Sequence, residues 1–160
     1  MKKRKAHRSN RAAKRLSAKT DRASAAAPPE PRLRIGLSAT VERVVELRHT
    51  IQTVDSSLPA VFSTPAMIGL MEHATVQAVR PELPPGTITV GTRIEVDHLK
   101  AVSPGATVHA SARFVKHKGR FLVFDVEARS GEHVIGRGRV FRAIVNPVTH
   151  GAKAQTRVQQ

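Results

Sequence analysis

The stretch TPAMIGLMEHATVQAV, residues 64–79, decides the fold, because it predicts the one long helix of the chain. Its apolar residues recur three and four positions apart, which is the spacing of one face of a helix. Thr64 followed by Pro65 is typical of a helix start, with a hydroxyl at the cap and proline at the first helical position. Pro81 ends the helix, because proline cannot continue the hydrogen-bond ladder. Apolar side chains cover most of the circumference, so we expect the helix to be largely enclosed.

Strand-like segments flank this helix on both sides. Apolar and polar residues alternate in residues 39–53 before it and in four segments after it, which predicts strands with one buried face. The later segments span residues 88–96, 106–114, 122–129 and 134–144. Gly119 and Gly131 lie in short turns between the last three, so these strands are predicted to be antiparallel neighbours. One apolar sheet face and one apolar helix predict an α+β fold in which the antiparallel sheet wraps around a central helix.

Residues 1–34 differ in composition from the rest of the chain. The formal net charge of the 160 residues is +15, and this segment holds 12 basic residues against two acids, Asp21 and Glu30. It has too few large apolar side chains to offset the entropy of ordering. We therefore predict a disordered basic arm over residues 1–34, a folded domain over 35–147 and a flexible tail over 148–160. The arm is open to three interpretations, namely a solvated tail, a segment that attracts nucleic acid or other phosphates, and a targeting segment.

The composition excludes several classes of protein. Cysteine is absent, which excludes disulfides, thiolate metal sites and a cysteine nucleophile. No apolar run approaches the roughly 18 residues of a membrane helix, and no secretory segment is present, so we expect a cytoplasmic protein without a membrane partner. The eight histidines show no metal-ligand spacing, and no metal is predicted. Aromatic residues make up only 3%, which disfavours a stacking platform for single-stranded nucleic acid.

Three segments carry a resemblance to a known family. They are LPAVFSTPAMIGLME at residues 58–72, VGTRIEVDHL at 90–99 and IGRGRVFRAIVN at 135–146. Together they resemble the helix start, the following strand and the last strand of the fluoroacetyl-CoA thioesterase-like family of hotdog-fold thioesterases, over residues 38–147. The specific signal is the joint spacing, with Glu72 eight residues after Thr64, His98 twenty-six after Glu72, and Gly91 seven before His98. Many relatives carry a histidine where Val140 stands.

This resemblance implies a hotdog fold and an acyl-CoA thioesterase that releases a small or short-chain acid from coenzyme A without a cofactor. Thr64, Glu72 and His98 would be the catalytic residues, and Gly91 would support the thioester carbonyl or the attacking water. Such hydrolysis requires a base or a nucleophile, a proton donor for the thiolate and donors for the oxyanion. Glu72 would be the base for water or a direct nucleophile. Thr64 would bond the substrate or act as nucleophile, and Phe62 would border the acyl group.

Each candidate residue also has a purely structural interpretation. Thr64 fits a helix cap, and Gly91 fits a sheet glycine that allows close approach to the helix. Glu72 fits an exposed helix face; if it were buried without a partner, its pKa would be raised. His98 has the same parity as the apolar residues of its strand, which points it inward unless a bulge intervenes. In that inward position it also fits a core histidine whose hydrogen bonds are satisfied.

The spacing of two candidates predicts an assembly. Eight residues of helix place Thr64 and Glu72 roughly 12 Å apart along one axis. If both serve one site, that site takes residues from two subunits of a homodimer or a dimer of dimers. Two rival functions remain, a non-catalytic acyl-thioester binding or regulatory module and a nucleic-acid-associated protein that uses the basic arm.

Overall fold

The computed structural model describes residues 33–148 and contains five strands and one α-helix within them. In chain order these are β1 (Ser38–Val44), α1 (Thr64–Val79), β2 (Ile88–His98), β3 (Thr107–Lys118), β4 (Phe121–Ser130) and β5 (His133–Val145). Short 3₁₀ turns occupy Leu47–His49, Ile51–Thr53 and Arg80–Glu82. The predicted arm and tail lie outside the described residues, apart from Leu33, Arg34 and Val148.

The five strands form one sheet in the order β1-β3-β4-β5-β2, and every neighbouring pair is antiparallel. The hairpins β3–β4 and β4–β5 confirm the predicted neighbours. Their turns contain Gly119 and Gly131, with φ of +55° and +54°, a backbone region that glycine adopts without steric cost. β2 follows α1 in the chain but lies at the sheet edge beside β5. The α+β hotdog arrangement predicted from the sequence is therefore confirmed.

The core lies between α1 and the concave face of the sheet. Alternate residues of β3 and β4 point into it, as the predicted alternation requires. The buried helix residues are Met67, Leu70, Met71, Ala74, Thr75, Ala78 and Val79. The facing residues of the sheet include Ala110, Ala112, Phe114, Leu122, Phe124 and Ala128, all at most 2% exposed. The alanines allow close approach of the helix, and the larger residues fill the remaining space.

The chain before α1 departs from the predicted strand over residues 39–53. β1 ends at Val44, and two 3₁₀ turns follow. The hydroxyls of Thr50 and Thr53 donate to the carbonyls of Leu47 and Thr50, at 2.7 and 2.8 Å. Such local side-chain bonds offer the backbone an alternative to a sheet ladder, so the alternation there misidentified turns as strand.

The described residues start inside the predicted arm. Leu33 is 5% exposed and belongs to the core, while Arg34 forms an ion pair with Glu82 beyond the end of α1. The folded domain therefore begins at least two residues before the predicted boundary. No helix of the described part of the chain is long and apolar enough to cross a membrane.

Candidate active site

Thr64 does not cap the start of α1. Ser63, not Thr64, is the N-cap, and its hydroxyl accepts from the Ala66 N–H at 3.3 Å. Thr64 is instead the first helical residue, and its Oγ1 lies 2.9 Å from Nδ1 of His98 at the end of β2. The structural interpretation of Thr64 as a cap is therefore wrong. Thr64 and His98 form what we call the hydroxyl–imidazole pair.

The second ring nitrogen of His98, Nε2, differs from Nδ1 in its hydrogen bonding. Nε2 is buried and has no hydrogen-bond partner among residues 33–148. A buried polar atom without a partner costs free energy and calls for an explanation such as a catalytic role or a missing partner group. The ring thus has one nitrogen anchored by Thr64 and one available nitrogen, so His98 is not a fully satisfied core histidine within the described chain.

A β-bulge in β2 changes which residues face the helix. The pairing with β5 shifts between Gly91 and Arg93, so one extra residue is inserted and the parity of the strand reverses. Before the bulge, Thr89 and Gly91 face α1; after it, His98 does. The sequence interpretation assigned inward positions to Ile88 and Val90, and Ile88 is in fact 45% exposed. Without the bulge, Gly91 and His98 would lie on opposite faces.

Glu72 and Gly91 are in direct contact at the middle of this seam between α1 and β2. A Cβ built on Gly91 would overlap the Oε1 atom of Glu72. Glycine is therefore required here for the carboxylate to occupy its position, which is the close approach that a sheet glycine permits. The Glu72 side chain is 35% exposed, so it is reachable from solvent at the seam.

Arg142 of β5 holds the Glu72 carboxylate. Its Nη1 donates to Glu72 Oε1 at 3.0 Å. On the other side of the guanidinium, Nε donates to Oγ1 of Thr89 at 3.0 Å and Nη2 donates to the Thr89 carbonyl at 2.8 Å. The Arg142 side chain is 6% exposed. Glu72, Arg142, Thr89 and Gly91 form what we call the carboxylate cluster.

The electrostatics of the carboxylate cluster differ from the sequence expectation. Burial lowers the pKa of the Arg142 guanidinium from its ordinary value, and the neighbouring Glu72 carboxylate opposes that shift. Glu72 is therefore not an unpaired buried acid. A carboxylate held in this way can act as a base toward water.

Sequence reasoning did not identify Arg142 as the partner of Glu72, nor Thr89 as a member of the site. A signal was present, because Arg142 has the same parity as Val140 and Ile144 and so stands at an inward position of an apolar strand. A charged residue at such a position is almost never buried without a partner. The partner, Glu72, lies 70 residues earlier in the chain, and no local pattern links the two.

The other predicted residues fall into different positions. Phe62 is 1% exposed and packs in the core, so its contact with a substrate stays a prediction. No contact joins Thr64 to Glu72 within the described residues; the hydroxyl–imidazole pair and the carboxylate cluster sit at separate points of the seam. Within residues 33–148 there is also no group of three or more acidic or histidine side chains arranged to hold a metal ion.

Comparison with known proteins adds independent information. The sequence profile of the family described as fluoroacetyl-CoA-specific thioesterase matches residues 45–148. The chain is 36% identical over 129 residues to the fluoroacetyl-CoA thioesterase of Streptantibioticus cattleyicolor, covering 77% of this chain and 93% of that protein.

Solved structures agree with the sequence comparison. A fluoroacetyl-CoA thioesterase matches with a TM-score of 0.73 at 35% identity, covering 78% of this chain and 96% of the other. A variant of that enzyme in complex with acetyl-CoA matches with a TM-score of 0.74 at 34% identity, covering 78% and 98%. A thioesterase superfamily member from Thermus thermophilus has a TM-score of 0.73 at 27% identity, covering 79% and 93%.

Proposed function

The chain belongs to the fluoroacetyl-CoA-specific thioesterase family of thioester hydrolases, and from that premise we propose that it hydrolyses a small or short-chain acyl-CoA to the free acid and coenzyme A. A similar enzyme has been solved with acetyl-CoA, which supports a substrate of that class. No cofactor is needed for this reaction, since coenzyme A is part of the substrate.

The proposal depends on one observation, the hydrogen bonding of the two ring nitrogens of His98. Thr64 anchors Nδ1 at 2.9 Å, and Nε2 is buried without a partner in the described chain. An imidazole with one oriented nitrogen and one available nitrogen is suited to transfer a proton at a reacting group. A module that only binds acyl thioesters has no need of such a group.

We assign the roles as follows. Arg142 holds Oε1 of Glu72, which leaves Oε2 to accept a proton as water attacks the thioester carbon. The carbon–sulfur bond then breaks, and His98 delivers a proton to the departing thiolate. The proton taken up by Glu72 returns to His98 through water, which restores both groups for the next cycle. Thr64 orients His98, and the backbone at Gly91 lies beside the carboxylate where it can support the carbonyl oxygen. Glu72 as a direct nucleophile remains the competing route, with an anhydride as its intermediate.

We propose that the two parts of the site meet through a second subunit. Thr64 and Glu72 are eight residues apart on α1, which is roughly 12 Å of rise. β2 is an edge strand, and residues 91–95 at its middle are five consecutive exposed positions. Unpaired edge strands are templates for pairing with another chain. We therefore propose a homodimer in which the two β2 edges pair about a two-fold axis.

The geometry of such a pairing brings the two parts together. In an antiparallel pair with its two-fold axis near residues 94 and 95, Gly91 of one protomer lies opposite His98 of the partner subunit. The hydroxyl–imidazole pair of one subunit then faces the carboxylate cluster of the other. A symmetric dimer carries two such sites.

The test is a thiol-release assay over acyl-CoA thioesters of increasing chain length, beginning with acetyl-CoA and fluoroacetyl-CoA. Glu72→Gln and His98→Ala should each lower kcat by about 10²–10⁴-fold, the usual contribution of a positioned acid or base. His73→Ala and Glu42→Gln are matched controls, since both residues are exposed and outside the seam. Absence of turnover in the wild type, or wild-type rates in both site variants, would refute the enzyme assignment.

A further inference from the structure

The glycine at position 136 of β5 makes room for a side chain of α1. A Cβ atom built on Gly136 would lie 2.5 Å from the sulfur and 2.6 Å from the terminal methyl carbon of Met67. Atoms of separate residues do not pack that closely, so the end of the Met67 side chain fills the space that any larger residue at position 136 would need. Glycine is therefore required at position 136 for Met67 to keep its place.

The space that Met67 fills lies directly beside His98. Gly136 and His98 are opposite each other in the antiparallel pair of β5 and β2. Residues opposite each other direct their side chains to the same face of the sheet, with Cβ atoms about 4.5–5.5 Å apart. Because the end of Met67 stands where the Cβ of residue 136 would be, it takes the position of a cross-strand neighbour of His98.

Met67 reaches this position from the turn of α1 that also supplies the hydroxyl bonded to His98. Thr64 and Met67 are three residues apart, and residues at that spacing are neighbours on a helix surface. Thr64 Oγ1 lies 2.9 Å from Nδ1 of the ring, and Met67 is 0% exposed. β2 is at the edge of the sheet, with β5 as its neighbouring strand. Thr64 thus supports the ring from the helix, and Met67 supports it from the side of β5.

A methionine suits this position because its side chain packs without competing for the ring nitrogens. The thioether is flexible enough to fill an irregular gap, contacts aromatic rings favourably and is only a weak hydrogen-bond acceptor. A serine, asparagine or glutamate there would offer Nε2 of His98 a strong partner. Nε2 is instead buried without a hydrogen-bond partner among residues 33–148.

We propose that Met67 is a positioning residue for the thioester hydrolysis, because its thioether, seated on Gly136, holds the His98 imidazole against Thr64 and leaves Nε2 to the reacting group. Met67 acts through His98 and not on the substrate itself. The effect on rate rests on the proposed function, in which His98 transfers a proton. The packing of Met67 against the ring is a separate matter and is tested without substrate.

The first test is NMR spectroscopy of the full-length protein labelled with ¹³C at the methionine methyl groups. The chain has three methionines, Met1, Met67 and Met71, so substitution of one at a time by leucine assigns the signals. We expect a nuclear Overhauser effect between the Met67 methyl group and the ring protons of His98, and its loss in Met67→Leu. Absence of this effect in the wild type would overturn the proposal whatever the activity.

The second test compares thiol release by Met67→Ala with that of its matched control, Met71→Ala. Both methionines are buried residues of α1 at 0% exposure, so both truncations leave a cavity in the core. Met67→Ala should lower kcat by about 10–100-fold with little change in KM, because a displacement of about 1 Å can cost on the order of 100-fold in rate. Met67→Leu, which keeps most of the volume, should recover most of that loss.

Met71→Ala should have little effect on kcat, although it lowers the stability of the fold as Met67→Ala does. Equal losses of kcat in the two alanine variants would reduce Met67 to a core residue and overturn the proposal. A failure of the proposed function has a different signature, since the wild type would then be inactive while the nuclear Overhauser effect persisted.

The third test adds a methyl group where the first two remove one side chain. Gly136→Ala should lower kcat by about 10–100-fold, because the new methyl forces the thioether from its place beside the ring. Adding Met67→Ala makes room for that methyl, so the double variant should turn over faster than Gly136→Ala alone. A double variant no faster than Gly136→Ala would assign the loss to the Asp97 carbonyl, 3.0 Å from the new Cβ, and would contradict a role of Met67.

Discussion

The hydroxyl–imidazole pair and the carboxylate cluster occupy the same seam but differ in how completely their polar atoms are satisfied. In the carboxylate cluster, Arg142 makes three hydrogen bonds and Gly91 leaves room for Glu72. In the hydroxyl–imidazole pair, one contact joins Thr64 to His98, and the second ring nitrogen of His98 is left over. The guanidinium of the first is bonded on both sides within the protomer, whereas the second has one ring nitrogen without a partner among residues 33–148.

This difference indicates which polar contacts one protomer completes by itself. An uncompensated buried charge is costly, and the Arg142 guanidinium, which is 6% exposed, finds its counterion Glu72 within the protomer. An imidazole nitrogen that has no partner in the protomer can bond a substrate or a group of a second subunit. The predictions below test whether the two regions belong to one site, in order of decreasing effect.

Mixing two inactive variants should restore activity if each site takes residues from two subunits. A heterodimer of His98→Ala and Glu72→Gln protomers carries both substitutions in one site and neither in the other. After random exchange at equal concentrations, activity should rise from below about 1% to about a quarter of the wild-type value, since half of the dimers carry one intact site. Thiol release before and after exchange measures it. Persistent inactivity, with exchange verified by mass spectrometry, would contradict a shared site.

Gly91→Ala should damage catalysis with little effect on folding. The new methyl group displaces the Glu72 carboxylate, and a displacement of about 1 Å can cost on the order of 100-fold in rate. We therefore expect kcat/KM to fall by about 10–100-fold.

Gly69→Ala is the matched control for Gly91→Ala. Gly69 lies in the middle of α1, and nothing lies within 4 Å of a Cβ built there. Alanine should stabilise the helix by about 0.5–1 kcal/mol and leave turnover unchanged. Full activity in Gly91→Ala would show that the position of the carboxylate does not matter to the reaction.

Arg142→Met should reduce kcat/KM by about tenfold, as measured by thiol release. The Glu72 carboxylate then loses the donor that holds its Oε1 atom in place, and loss of positioning costs rate. The control is the double variant with Glu72→Gln, which should be no worse than Glu72→Gln alone if Arg142 acts through that carboxylate. Additive losses would assign Arg142 an effect independent of Glu72.

Ser63→Ala and Thr64→Ala should separate helix capping from chemistry at neighbouring positions. Loss of the Ser63 cap should lower the free energy of unfolding by about 1 kcal/mol while kcat is preserved. Thr64→Ala removes the contact to His98 and should lower kcat with a smaller effect on unfolding. Urea denaturation and thiol release measure the two effects, and the reverse pattern would restore Thr64 as a cap.

The fold could be predicted because the helical spacing and the strand alternation of apolar residues in the sequence are largely kept in the structure. The helix predicted at residues 64–79 has those bounds, and the later strands lie where the alternation placed them. The regularities failed where short-range hydrogen bonds replaced them, as at Thr50 and Thr53, and where a bulge reversed the parity of β2. A parity count assumes an unbroken strand, and one inserted residue invalidates it.

The sequence by itself determined the central helix and the antiparallel strands around it, and its resemblance to a family pointed to Thr64, Glu72, Gly91 and His98 as candidate site residues. Only the tertiary structure decided that Thr64 bonds His98 and that Arg142 holds Glu72. It also decided that Gly91 and His98 face the same helix. These contacts join residues 34 and 70 positions apart, and side-chain periodicity reports only on neighbours within one helix or strand. Contacts across the fold depend on sheet order and register, which the packed chain alone establishes.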